Sequence, residues 1–86
     1  GTNALYSNST GFYNTASGGK SLFSNTTGSG NVASGYKSLY SNTTGYSNVA
    51  VGTVALKNST TQHGIVAIGD SALLNNGNGA SNGSQE

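Results

Sequence analysis

The chain has 86 residues, 33% of them apolar, against about 45–50% in an ordinary globular domain, and it carries a net charge of +1 with 6% charged residues. Asn, Ser, Thr and Gly together supply 50 residues. Three lysines without an arginine argue against a phosphate-backbone binder, the lack of cysteine excludes disulfides and thiolate metal sites, and no apolar run approaches a membrane span.

Read in chain order, the predicted elements alternate. A first candidate strand, NALYS at 3–7, leads through a turn, SNSTG, to a second, NTAS at 14–17. The phrase returns as KSLFS (20–24), SNTTG and NVAS (31–34), then as KSLYS (37–41), SNTTG and NVAV (48–51). A fourth version reads VALKN (54–58) and IVAI (65–68), and a fifth opens with SALLN (71–75). Gly1, Gly18, Gly35, Gly52 and Gly69 mark a step of 17 residues, and Leu5, Leu22, Leu39, Leu56 and Leu73 keep it, as do Ala16, Ala33, Ala50 and Ala67. A composition this polar also suits a disordered linker, but a linker has no reason to hold its leucines in strict register.

A period of this length points to stacked supersecondary units, and seventeen residues are too few for a helix pair. The expected fold is all-β: a parallel β-solenoid of five 17-residue coils, each with two short strands and two turns. Identical phrases then stack, so the leucines and alanines form core columns and Asn14, Asn31 and Asn48 form a ladder of amides. Residues 1–74 are expected to make the repeat domain and 75–86 an irregular cap or linker, because that tail lacks the strand phrase. A coil core of Ala, Val and Leu is thin, which favours an oligomer or a segment of a longer fibre. Gly1 in place of Met suggests a processed product or an excised piece of something longer.

The phrases VAIGDSAL (66–73), VAVGTVAL (49–56) and VASGYKSL (32–39) resemble the head repeats of YadA-like trimeric autotransporter adhesins. The spelling ALYSNTTG is similar to repeats in bacterial surface proteins and phage-type tail fibres. The resemblance covers nearly the whole chain and implies a left-handed parallel β-roll with three chains side by side. It implies adhesion to host matrix, to a host surface or to another cell, or distal attachment in a virion tail fibre, in an extracellular setting; carbohydrate is a further candidate ligand, suggested by the aromatics and amides. The usual head repeat is shorter, so the extra residues are expected to enlarge the SNTTG turn, and the family's stalk and membrane anchor are not among these residues.

Several side-chain sets could carry function. Phe12, Tyr46 and His63 share a place in the repeat and, with Thr27, Thr44 and Thr61, are the expected contact surface. Tyr6, Phe23 and Tyr40 form a second aromatic column, read either as packing or as a sugar-stacking strip. Thr pairs at 26–27, 43–44 and 60–61 suggest an ice-binding array, but neighbours along a strand face opposite ways, so each pair offers one outward column. Asn8, Asn25, Asn42 and Asn58 open Asn-x-Ser/Thr sequons, which on exposed turns would carry glycan and make a glycosylated structural filament a further reading. GNVASGYKS (30–38) misses a phosphate-binding loop by one residue, since Tyr36 intrudes before Lys37 and no helix follows. His63, Asp70 and Ser71 read as unrelated surface residues rather than a triad, and one His with two scattered acids is a poor metal set. The expectation is therefore a non-enzymatic module with no cofactor, no nucleic-acid partner and no membrane contact of its own, working as a homo-trimer or filament.

Overall fold

A computed structural model describes residues 1–74 and 84–85. The described residues form no helix. Five short strands build one parallel sheet in chain order: β1 (Thr15–Ser17), β2 (Val32–Ser34), β3 (Val49–Val51), β4 (Val66–Ile68) and β5 (Ser84–Gln85). Thr15 pairs with Val32, Val32 with Val49, and Val49 with Val66, each step 17 residues. The last step is 18, because Val66 pairs with Ser84. The fold is thus all-β and compatible with a β-solenoid. The tail expected to be irregular contributes β5; the rest of it, 75–83 and 86, lies outside the described residues.

Alternation places the strands. Ala33, Ala50 and Ala67, the middle residues of β2 to β4, are fully buried, while the residues on either side of each face outward. β1 to β4 each run into a glycine, and at Gly35 and Gly52 the backbone has φ of 125° and 132°. A Cβ on Gly35 would stand 2.5 Å from the Gly52 carbonyl oxygen, so the close stacking of corners also requires glycine there.

The second predicted strand is absent. Residues 37–41 and their counterparts form linked β-turns: Ser38 N–H bonds Gly35 O, Tyr40 N–H bonds Lys37 O and Asn42 N–H bonds Leu39 O, each at 3.2 Å. Lys37 and Leu39 have φ of 57° and 51°, as at the third position of a type II turn, and Leu5, Leu22, Leu56 and Leu73 repeat this. A left-handed non-glycine residue costs about 1–2 kcal/mol. Burying a leucine side chain returns about 1.5–3 kcal/mol, and Leu22, Leu39 and Leu56 are fully buried. Tertiary packing therefore overrides the local preference. The turns also hydrogen-bond between repeats: Leu22 N–H reaches Ser38 O, Leu39 N–H reaches Ala55 O and Leu56 N–H reaches Ala72 O, at 2.9–3.0 Å. The leucines are vertical neighbours, as the period predicts. Leu5, Ala16 and Leu73, also expected in the core, are only partly buried and pack against it.

Among the described residues, beside nine buried apolar residues stand seven buried polar ones. Asn25, Asn31, Asn42 and Asn48 are fully buried. In one column Asn25 Nδ2 donates to Asn8 Oδ1 at 2.8 Å and Asn42 Nδ2 to Asn25 Oδ1 at 2.9 Å. In the other, the backbone N–H of Asn31, Asn48 and Ile65 each donates at 3.0 Å to the Oδ1 of Asn14, Asn31 and Asn48 respectively. The columns share acceptors: the Gly28 carbonyl takes both Asn25 Nδ2 and Asn14 Nδ2, and the Gly45 carbonyl takes Asn42 Nδ2 and Asn31 Nδ2. These bonds satisfy corner carbonyls that burial removes from water.

Candidate contact surface

The corner after the first Asn column positions the expected contact residues. The N–H groups of Thr26, Thr27 and Gly28 converge on the Thr43 carbonyl at 3.0–3.2 Å, and the preceding repeat does the same on Thr26. This fixes the corner so that one threonine turns in and the next turns out. Thr26 Oγ1 donates to Thr43 O and Thr43 Oγ1 to Thr60 O, while Thr27, Thr44 and Thr61 are exposed. The outward hydroxyls make a single column, not the paired ranks of a flat ice-like grid.

Phe12, Tyr46 and His63 lie exposed on the same corner. Tyr46 and His63 stack at 4.7 Å with their planes 4° apart. Phe12 does not continue that stack. Ser29 stands between it and Tyr46, its hydroxyl accepting the Phe12 N–H at 3.1 Å, and the Phe12 ring turns edge-on to Tyr13. The surface is therefore two aromatic patches joined by threonines rather than a continuous strip.

The other aromatic column is continuous. Tyr6 and Phe23 stack at 5.0 Å and 3°, and Phe23 and Tyr40 at 5.2 Å and 9°. Stacked rings cover one another's faces, so Phe23 has none left for a sugar, and the column works as packing between repeats. Lys57 follows Tyr40 in the column, with its ammonium 5.7 Å from the ring centroid. Lys37 approaches the same ring at 5.4 Å and Tyr36 at 5.3 Å. The sequence reading did not single out this cluster; the shared repeat position of Lys20 and Lys37 was the available signal.

The sequons fare unequally. Asn25 and Asn42 are buried with their amides donated inward, so neither can carry a glycan in this fold, contrary to expectation. Asn8 is exposed but holds the end of the same column, accepting from Asn25 and donating to Gly11 O at 3.1 Å. Asn58 is exposed and stands one place earlier in the repeat, outside the ladder. A stripe of glycans along the column is thereby removed.

The outer face of the sheet is a further surface. Thr15, Val32, Val49 and Val66 form one outward rank, and Ser17, Ser34, Val51 and Ile68 the other. Val32, Val51 and Val66 are each 37% exposed and Ile68 is 46% exposed. All-parallel sheets are normally covered on both faces, and among the described residues nothing covers this one.

Asp70 and Ser71 are neighbours at the last described corner, 3.5 Å apart through Oδ1 and Oγ, while His63 is engaged with Tyr46. Among the described residues there is no pocket, no group of three potential metal ligands, and no helix long and apolar enough to cross a membrane. What the geometry defines is a class: an all-β protein with one parallel sheet, compatible with a β-solenoid, whose exposed residues stand in ranks. No protein-family model, curated protein or solved structure matches the chain.

Proposed function

We propose that the chain is a non-enzymatic repeat module of an extracellular trimeric surface fibre or tail fibre, with adhesive or structural duty. In this reading it is a left-handed β-roll of five 17-residue coils, and three copies lie side by side. The observation that carries the proposal is the open face of the parallel sheet, whose outward ranks become wholly β-branched and apolar at Val49–Val51 and Val66–Ile68. Those residues would be covered by a neighbouring copy, leaving the threonine and aromatic corners outermost for contact with matrix, cell surface or carbohydrate. The repeats suit such a role because each adds the same ladder of bonds, so reach scales with copy number.

Light scattering coupled to size exclusion tests the assembly. The expected mass is three times the 8.5 kDa of one chain. A monodisperse 8.5 kDa species would overturn the trimer, and a heterogeneous high-mass species would favour the filament. Freezing-point hysteresis in the same sample would overturn the adhesive reading in favour of ice binding.

A further inference from the structure

We infer that the face carrying Lys20, Lys37 and Lys57 is a binding strip for a linear anionic polysaccharide laid along the stack; this rests on the adhesive reading above and names its ligand class. The three lysines are the only Lys or Arg residues of the chain. Lys20 and Lys37 occupy equivalent places one repeat apart, the Lys37 N–H bonding Gly19 O next to Lys20. Lys37 and Lys57 share the Tyr40 ring, and Lys37 also lies over Tyr36. Tyr36 in turn packs over Gly19 of the preceding repeat, 3.4 Å from where a Cβ would stand.

Among the described residues the charge of the strip is not neutralised. No ion pair engages the lysines among the described residues. Asp70, the one described carboxylate, sits at the upper end of the column that holds Tyr36, two repeats above it. The Lys37 and Lys57 ammonium groups instead rest against rings, which orients them without an ion pair among the described residues. A ligand for such a surface is anionic and repeats along one axis at short intervals, since the aromatic column advances 5.0–5.2 Å per repeat.

Two features select a polysaccharide over a nucleic acid. Single-stranded nucleic acids bind through bases stacked on free aromatic faces, and here Tyr6, Phe23 and Tyr40 stack on one another. Three lysines without arginine also provide little phosphate neutralisation. The ring edges and hydroxyls that remain outward suit sugar hydroxyls, while the ammonium groups suit carboxylate or sulfate.

Biolayer interferometry of the full chain tests this on four immobilised probes: polygalacturonate, dextran sulfate, neutral dextran and single-stranded oligo-dT. Binding is expected to one or both anionic polysaccharides and to weaken as salt rises; the two arms separate carboxylate from sulfate recognition. Lys37→Gln with Lys57→Gln is expected to weaken it about tenfold. The thermal melt of that variant, followed by circular dichroism, controls for folding, and Lys20→Gln, which removes no ring contact, provides a second loss should the pair fail to fold. Equal binding to neutral dextran, tighter binding to oligo-dT, unchanged binding by both variants, or no binding to any probe would each overturn the inference. Failure of the adhesive reading itself is read separately, from the mass measurement and from attachment of the labelled chain to whole cells.

Discussion

The two buried asparagine columns look interchangeable in the sequence and are not. In the column of Asn14, Asn31 and Asn48, each Oδ1 accepts a backbone N–H from the next repeat. Any residue supplies that N–H, so Ile65 ends the column without leaving Asn48 unpaired. In the column of Asn8, Asn25 and Asn42, the Oδ1 of Asn8 and of Asn25 each accepts the side-chain amide of the next asparagine. Ser59 follows and is too short, and Asn42 Oδ1 is left buried without a partner. One column tolerates an apolar terminus because it borrows the backbone, and the other demands an amide at every level.

The largest effect falls on the leucine column common to both. Leu39→Asp places a carboxylate where the side chain is fully buried, between repeats that supply both ladders. The expected loss exceeds about 4 kcal/mol, enough to abolish a cooperative transition in a circular-dichroism melt. An unchanged melt would show that the leucines do not hold the stack.

Asn31→Ala and Asn25→Ala then separate the columns, since both side chains are fully buried and the deletion is chemically the same. Asn31→Ala strands the backbone N–H of Asn48 and costs about 3 kcal/mol. Asn25→Ala costs about 1 kcal/mol less or better, because its partners keep other bonds: Asn42 Nδ2 retains the Gly45 carbonyl and the Gly28 carbonyl retains Asn14 Nδ2. Urea unfolding of the pair measures the difference, and equal losses would mean that the backbone-linked column has no special weight.

These columns also mark where the sequence was legible. The 17-residue step, the Leu and Ala columns and the Asn14–Asn31–Asn48 ladder follow from spacing alone, because stacking puts like on like. The second strand was not legible as turns, since Lys37 and Leu39 take positive φ only when the leucine is drawn into the core. The Asn8 column spells sequons, because Asn-x-Ser/Thr matches a surface pattern. Its true signal was the recurring Asn-x-x-Gly of Asn8–Gly11, Asn25–Gly28 and Asn42–Gly45, in which the amide closes onto the glycine carbonyl three residues on. The lysine strip and the outward β-branched ranks depend on which face of each repeat is outermost, and spacing alone left that open.

The same pairing yields the smallest and most specific prediction. A Cβ at Gly11, Gly28 or Gly45 would stand 2.7, 2.5 or 2.2 Å from the Oδ1 of Asn8, Asn25 or Asn42, so an asparagine in this column requires glycine three residues later. The fourth repeat changes both places at once. Ser59 replaces the asparagine, Gln62 replaces the glycine, and Gln62 Oε1 accepts the Ser59 hydroxyl at 2.8 Å and the N–H groups of Thr60 and Thr61 at 3.0 and 3.2 Å. The glutamine thus closes its own corner. Ser59→Asn alone drives an amide against the Gln62 Cβ and destabilises, although it offers Asn42 Oδ1 a donor. Gln62→Gly alone strips three donors of their acceptor and also destabilises. The double variant relieves the clash and rejoins the ladder, so it is expected to be more stable than the two single losses imply by about 1–3 kcal/mol. A double-mutant cycle in urea measures that coupling, and strict additivity would show that residues 59 and 62 are not one structural unit.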